Sequence, residues 1–476
     1  MKIYILYHIK EREFIISEMI KEEILNLNEN ADVRIRNFDN VREEVWDFCP
    51  NVILTIPPRN YWVSNWLMMV KAALGCSVVV LLTEGFFYYN GKKEWKKYVG
   101  TNNYSEKLVD YFLFWGNKTK EGYLDILAED KKITEVERAK VVGYAYYDIN
   151  YFKSYADRIT MPRMVQNWIQ KGNKHVLCLT GFMAADYTIK EFDIEGSIGG
   201  GTKKERKLEI DAAERRIKAF YEYRKGYINN IIQCAAQNPD ISFLIKLHPA
   251  EFAVYFKGKN YQFYHILDKY LNIYLLDEAV PLGMLLPYTD VMVHYGSTSG
   301  LEAYLYEVPT LHMFSEAFNG CSRMPGYCIY QSNRELTLED FEQFNESIVR
   351  GVPFDKLEDV EKILHEQFDW EKGKKDYHPA ERIAKYILES WDKKQVLDKD
   401  KLFKKAVKSV EAYQCRKSIK SKVKWLNKQK KYNESDKYLE MLSKISGDWL
   451  ILFYDLERKI IETLCHIRSR WYHKCL

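Results

Sequence analysis

Three hydroxyls stand directly before an apolar helical run in Ser297-Thr298-Ser299-Gly300-Leu301-Glu302, and a carboxylate lies one turn inside that run. Upstream, Val291–Val293 reads as a buried strand. Downstream, Leu301–Tyr306 reads as a helix that stops before Val308-Pro309, and Thr310–Phe314 as a second buried strand. Free N–H groups and the macrodipole at a helix start favour an anion. Ser297, Thr298, Ser299 and Gly300 therefore suit a phosphate, and Glu302 suits the diol of a ribose. The same spacing also fits a capping box, with Ser299 as N-cap and Glu302 as its partner.

A second cluster is Lys246-Leu247-His248-Pro249, at the carboxyl end of the strand read over Ile241–Leu247. Open α/β sheets place their ligand crevice at that end of the strands. His248 can meet growing negative charge there, Lys246 offers a cation, and Pro249 fixes the turn. A third candidate is Glu84 in Thr83-Glu84-Gly85, after the strand Ser77–Leu82. Its neighbours Phe86, Phe87, Tyr88 and Tyr89 would raise a buried carboxyl pKa and make it a general base. A loop carboxylate with a local hydrogen bond is the alternative. Gly196-Ser197-Ile198-Gly199-Gly200-Gly201-Thr202-Lys203-Lys204 reads either as a lid over a phosphate or as a surface loop. It matches neither the Walker pattern nor a tight G-x-G-x-x-G turn.

Strands alternating with helices must position these groups, which predicts parallel sheets covered by helices. The chain has 476 residues, too many for one core. We expect an α/β protein with two Rossmann-like domains: an acceptor domain over 1–150, an interdomain segment over 151–174 and a nucleotide domain over 175–392. A basic helical extension over 393–476 follows. The nine Cys form no C-x-x-C pair or zinc spacing, which predicts free thiols in a reduced cytoplasm. Met1-Lys2 precedes only a short apolar run, read as a first strand rather than a signal peptide, and no stretch has the apolar length of a membrane span.

The formal charge of +4 is unevenly spread. From Lys401 to Leu476 there are 19 basic and 8 acidic residues, leaving 52 of the 71 basic and 59 of the 67 acidic residues to the body. The basic end is either a packed helical extension or an appendage for a membrane surface or partner. It shows no single-strand stacking platform, so nucleic acid is not expected. Asp398-Lys399-Asp400 is the Asp-x-Asp of the chain. It lies in a charge run outside both α/β domains, so no metal is expected.

Thr83-Glu84-Gly85, His248-Pro249 and Ser297-Thr298-Ser299 resemble, in order, the acidic-acidic-Gly, His-Pro and Ser-rich helix-start motifs of GT-B glycosyltransferases of bacterial surface polysaccharide synthesis. The likeness is greatest to sialyltransferases and Kdo transferases. Val142-Gly143-Tyr144-Ala145-Tyr146-Tyr147-Asp148 is similar to an interdomain stretch of related surface-carbohydrate proteins. Thr83 stands where those families carry their first acid. The resemblance implies two domains facing a cleft, a CMP-linked donor, a glycan or glycolipid acceptor and a location in the cytoplasm at the inner face of the membrane. It makes Glu84 the base of a metal-independent, inverting transfer with His248 on the leaving phosphate. Lys246, Pro249, Ser297–Gly300 and Glu302 would bind the nucleotide. UDP-sugar transferases share the helix-start pattern, and a CDP-glycerol-type polyol-phosphate transferase or a nucleotide-sugar 2-epimerase fits similar parts. A scaffold that binds nucleotide without turnover is the alternative of another class.

Overall fold

The computed structural model describes residues 1–38, 41–58, 61–82, 108–129, 133–190, 203–248, 251, 261–318, 328, 330–371 and 377–392. Within them the chain divides into two compact units. Unit 1 comprises Met1–Gly143, Gln367–Asp369 and His378 onward; unit 2 comprises Tyr144–Glu366 and Trp370–Tyr377. These divisions fall elsewhere than at 150, 174 and 392. The stretch expected to link the domains belongs to unit 2, and the helix Pro379–Ser390 belongs to unit 1. There it packs on α1, β3 and β4, defined below.

Unit 1 is built from β1 (Lys2–Tyr7), α1 (Lys10–Leu27), β2 (Asp32–Asn37), α2 (Val41–Phe48), β3 (Val52–Thr55), α3 (Tyr61–Leu74), β4 (Ser77–Leu81), β5 (Tyr111–Phe114), α4 (Asn117–Glu129) and β6 (Ala139–Val141). The six strands pair in the order β2-β1-β3-β4-β5-β6, all parallel. Helices cover a parallel sheet on both faces, so its central strands are apolar throughout rather than alternating. Every residue of β3, β4 and β5 is buried accordingly. At the amino ends of β4 and β5, Lys71 Nζ meets Asp110 Oδ2 at 2.5 Å, both side chains fully buried. Asp110 also accepts from Ser77 Oγ at 3.1 Å and Val78 N at 2.8 Å.

Unit 2 continues with α5 (Ile149–Ala156), α6 (Arg163–Gln170), β7 (Lys174–Leu179), α7 (Lys203–Gln237), β8 (Ile241–Lys246), α8 (Tyr261–Tyr264), β9 (Ile273–Leu276), β10 (Val291–His294), α9 (Ser299–Leu305), β11 (Thr310–Phe314), β12 (Arg334–Thr337), α10 (Phe341–Arg350) and α11 (Glu358–Phe368). Asp148 caps α5 by accepting from Tyr151 N, and Asp340 caps α10 by accepting from Gln343 N. The strand order is β12-β11-β10-β7-β8-β9, again all parallel. This is the doubly wound order, with its topological switch between β7 and β10.

The expected two-unit α/β architecture is therefore what forms. One local expectation needs correction. The helix read from Leu301 starts at Ser299. Residues 393–476, with the Asp398–Asp400 run, lie outside the described residues.

Candidate functional site at the switch of the second sheet

Ligands of doubly wound sheets bind beyond the carboxyl ends of the strands where the order reverses. In unit 2 those ends are Thr180-Gly181 after β7 and Tyr295–Thr298 after β10, with Leu247-His248 after the neighbouring β8. Of the sequence-derived candidates, Lys246, His248, Ser297, Thr298, Ser299, Gly300 and Glu302 thus fall on adjoining strand ends or on α9. Glu84, Pro249 and the Gly196–Thr202 part of the glycine-rich loop lie outside the described residues.

The Ser297 turn is tied from three directions. Gly296 has φ of 100°, a conformation that glycine adopts without steric cost. Its N–H donates to His294 Nδ1 at 3.1 Å. Ser299 N donates to Ser297 Oγ at 3.2 Å, and the Tyr330 hydroxyl donates to the Ser297 carbonyl. Gly300 is required by this last contact, because a Cβ there would overlap the Tyr330 hydroxyl. A Cβ at Gly181 would likewise overlap the Tyr295 ring, so the loops after β7 and β10 touch at the switch point.

The capping-box reading is not what forms. Thr298 takes the N-cap position with helical backbone angles and no side-chain cap bond. Glu302 does not turn back to the helix start; it is 8% exposed, and Gly283 N donates to its carboxylate. Burial pushes its pKa up to about 8, opposed by the charge of Lys246 and by the Gly283 bond. Burial lowers the pKa of Lys246, opposed by Glu302. Among the described residues Glu302 Oε1 has no hydrogen-bond partner. A buried carboxylate oxygen without a donor is costly, and a bound hydroxyl would relieve that cost.

Three residues of this site carry no local signal in the sequence. His294 and Tyr330 hold the Ser297 turn from β10 and from a segment 33 residues further on. Glu251, fully buried, accepts from His248 N at 3.1 Å and from the Thr180 hydroxyl. The Thr180–Glu251 and Tyr330–Ser297 bonds join segments 71 and 33 residues apart, which spacing along the chain does not reveal.

Among the described residues no group of three or more His, Cys, Asp or Glu is placed to hold a metal ion, and no helix is long and apolar enough to cross a membrane.

No family model matches the chain, and no curated protein does. Solved structures do show likenesses. UDP-GlcNAc 2-epimerase of Methanocaldococcus jannaschii, in complex with UDP-GlcNAc and UDP, aligns at 12% identity over 82% of this chain and 100% of its own, with a TM-score of 0.47. The wall teichoic acid polymerase TagF aligns at 9% identity over 82% of this chain and 89% of its own, with a TM-score of 0.46. UDP-GlcNAc 2-epimerase of Neisseria meningitidis, bound to UDP-GlcNAc, aligns at 12% identity over 83% of this chain and 100% of its own, with a TM-score of 0.43.

Proposed function

We propose that this chain is a nucleotide-sugar-dependent enzyme that transfers a glycosyl group to a surface-glycan or glycolipid acceptor, without a metal and with inversion. The observation that supports this most is Glu302: buried, short of a hydrogen-bond partner at Oε1 among the described residues, and one turn into the helix that follows the switch-point turn. A ribose diol supplies the donors that such a carboxylate lacks. The turn Ser297–Ser299 takes the adjoining phosphate, with Lys246 as the nearby cation. His248 stabilises charge on the leaving phosphate as the glycosidic bond breaks. The attacking hydroxyl gives its proton to a base, which we assign to Glu84 from its place in the sequence after β4. The basic end over 393–476 is assigned an anionic membrane surface, on charge alone.

The nucleotide is tested by thermal shift and calorimetry. UDP, UDP-GlcNAc and UDP-glucose, which are bound in solved structures of similar fold, head the panel, followed by CMP, CDP and GDP. A cytidine preference supports the CMP-linked donor implied by the sequence resemblance; a uridine preference supports the UDP-linked one. Turnover is then followed with and without a glycan acceptor. Turnover that needs no acceptor would replace transfer by epimerisation. Nucleotide binding with no turnover on any donor would leave a scaffold.

A further inference from the structure

Glu251 has no exposed surface. Its Oε2 accepts from the Thr180 hydroxyl and, at 3.1 Å, from His248 N; its Oε1 accepts from the Tyr264 hydroxyl at 3.1 Å. The Phe182 backbone N–H is a fourth donor. A carboxylate offers about four lone-pair positions, so this one is saturated by protein. Burial pushes its pKa up, and the four donors oppose that shift. Glu251 therefore differs in kind from Glu302, whose Oε1 has no partner among the described residues.

The donors come from distinct elements. Thr180 and Phe182 follow β7, His248 follows β8, and Tyr264 ends α8. The Thr180 hydroxyl also accepts from His248 N at 3.1 Å, so that one N–H is shared between Thr180 and Glu251. The backbone from which the His248 side chain departs is thereby fixed to the strand that borders the switch point. Thr180 and His248 are 68 residues apart, and Thr180 and Glu251 are 71 apart. The buried carboxylate brings these distant segments together.

We propose that Glu251 is the positioning residue of His248: it holds the His248 backbone at the end of β7 and acts on the reaction only through that residue. This rests on the role given to His248 above. A misplacement of about 1 Å can cost about 10²-fold in rate. Glu251→Met keeps the volume and removes every acceptor. Glu251→Gln keeps one acceptor oxygen for Thr180 and His248, and the Tyr264 hydroxyl can turn to accept from the new amide.

The test compares these variants in the full chain. Glu251→Met is expected to lower kcat about 10²-fold on the nucleotide sugar that wild type turns over, with the Kd for UDP or CMP unchanged. Glu251→Gln is expected to stay within about 10-fold of wild type. In a His248→Ala background Glu251→Met is expected to cost nothing more, since residues that act as a unit are not additive. A Gln variant as inactive as the Met variant would overturn the proposal in favour of direct proton chemistry. So would an undiminished loss in the His248→Ala background, or an equal loss in nucleotide affinity. Thr180→Val, which removes the shared hydroxyl, replaces Glu251→Met if the latter does not fold, with the same expected dependence on His248. The backbone amide and imidazole NMR signals of His248 give a readout free of turnover. They are expected to move in Glu251→Met and to stay near wild type in Glu251→Gln. Signals that do not move in Glu251→Met overturn the positioning role. Moved signals in a protein that turns over no donor count against the proposed function alone.

Discussion

Gly296 N donates to His294 Nδ1 at 3.1 Å, so the buried imidazole keeps its proton on Nε2, which faces Ser332 Oγ at 3.0 Å. The ring also stacks on His312, with centroids 5.3 Å apart. A neutral histidine thus sets the geometry of the Ser297 turn.

Burial, aided by His312, holds the His294 pKa well below its ordinary value. The unfolded chain binds the proton more readily, so the stability that neutral His294 contributes is present above about pH 6.5 and is lost as pH falls below it. Thermal unfolding at pH 7.5 and 5.5 should show a steeper acid loss in wild type than in His294→Gln. Parallel losses would assign the acid sensitivity to other groups.

The Lys71–Asp110 pair lies at the amino ends of its strands, away from the ligand-binding ends, so its role is in stability. Removing one partner of a buried ion pair leaves an uncompensated charge and costs about 3–5 kcal/mol. Asp110→Ala should lower unfolding stability by that order and leave nucleotide affinity intact. Loss of affinity in a folded Asp110→Ala protein would contradict this division of roles.

Much of this organisation is legible in the chain itself. The runs at β3, β4, β10 and β11 are apolar because both faces of a parallel sheet are covered, and apolar runs bounded by turn residues declare themselves. β12, Arg-Glu-Leu-Thr, is an edge strand with only Leu336 buried, so it lacks that signature. β5, Tyr111–Phe114, is a four-residue run with no alternation to separate strand from helix. The helix Pro379–Ser390 shows a periodic apolar face, but nothing in that face says that its partner is α1. Within the site, Ser297, Glu302, Lys246 and His248 follow from motif and position. The supports are less legible: Glu251 lies three residues from His248 and His294 two from Gly296, but the bonds from Thr180 to Glu251 and from Tyr330 to Ser297 join segments that only the fold brings together.

Glu302 gives a second pH signature, of opposite sign. Its folded pKa of about 8 is raised, so the stability it contributes is present below about pH 4.5 and is lost as pH rises to about 8. Glu302→Gln should therefore gain on wild type in thermal stability between pH 5 and 8 in the absence of nucleotide. A constant difference across that range would mean that Glu302 is already ionised in the free protein.

If Glu84 is the base, Glu84→Gln keeps its shape and removes its basicity. Turnover should fall by about 10²–10⁴-fold with nucleotide affinity nearly unchanged, and the pH–rate profile should lose its acidic limb. Near-normal turnover would remove Glu84 from the chemistry.

Glu302 and the turn before it are proposed to bind the ribose and phosphate of a nucleotide. Thermal unfolding of wild type and Glu302→Ala, each with UDP and with CMP, tests this most directly. A nucleotide at 100 times its Kd should stabilise wild type by about 2.7 kcal/mol. That stabilisation is expected for at least one of the two nucleotides, with its loss in a folded Glu302→Ala protein. Equal stabilisation of both proteins, or none of wild type by either nucleotide, would contradict it.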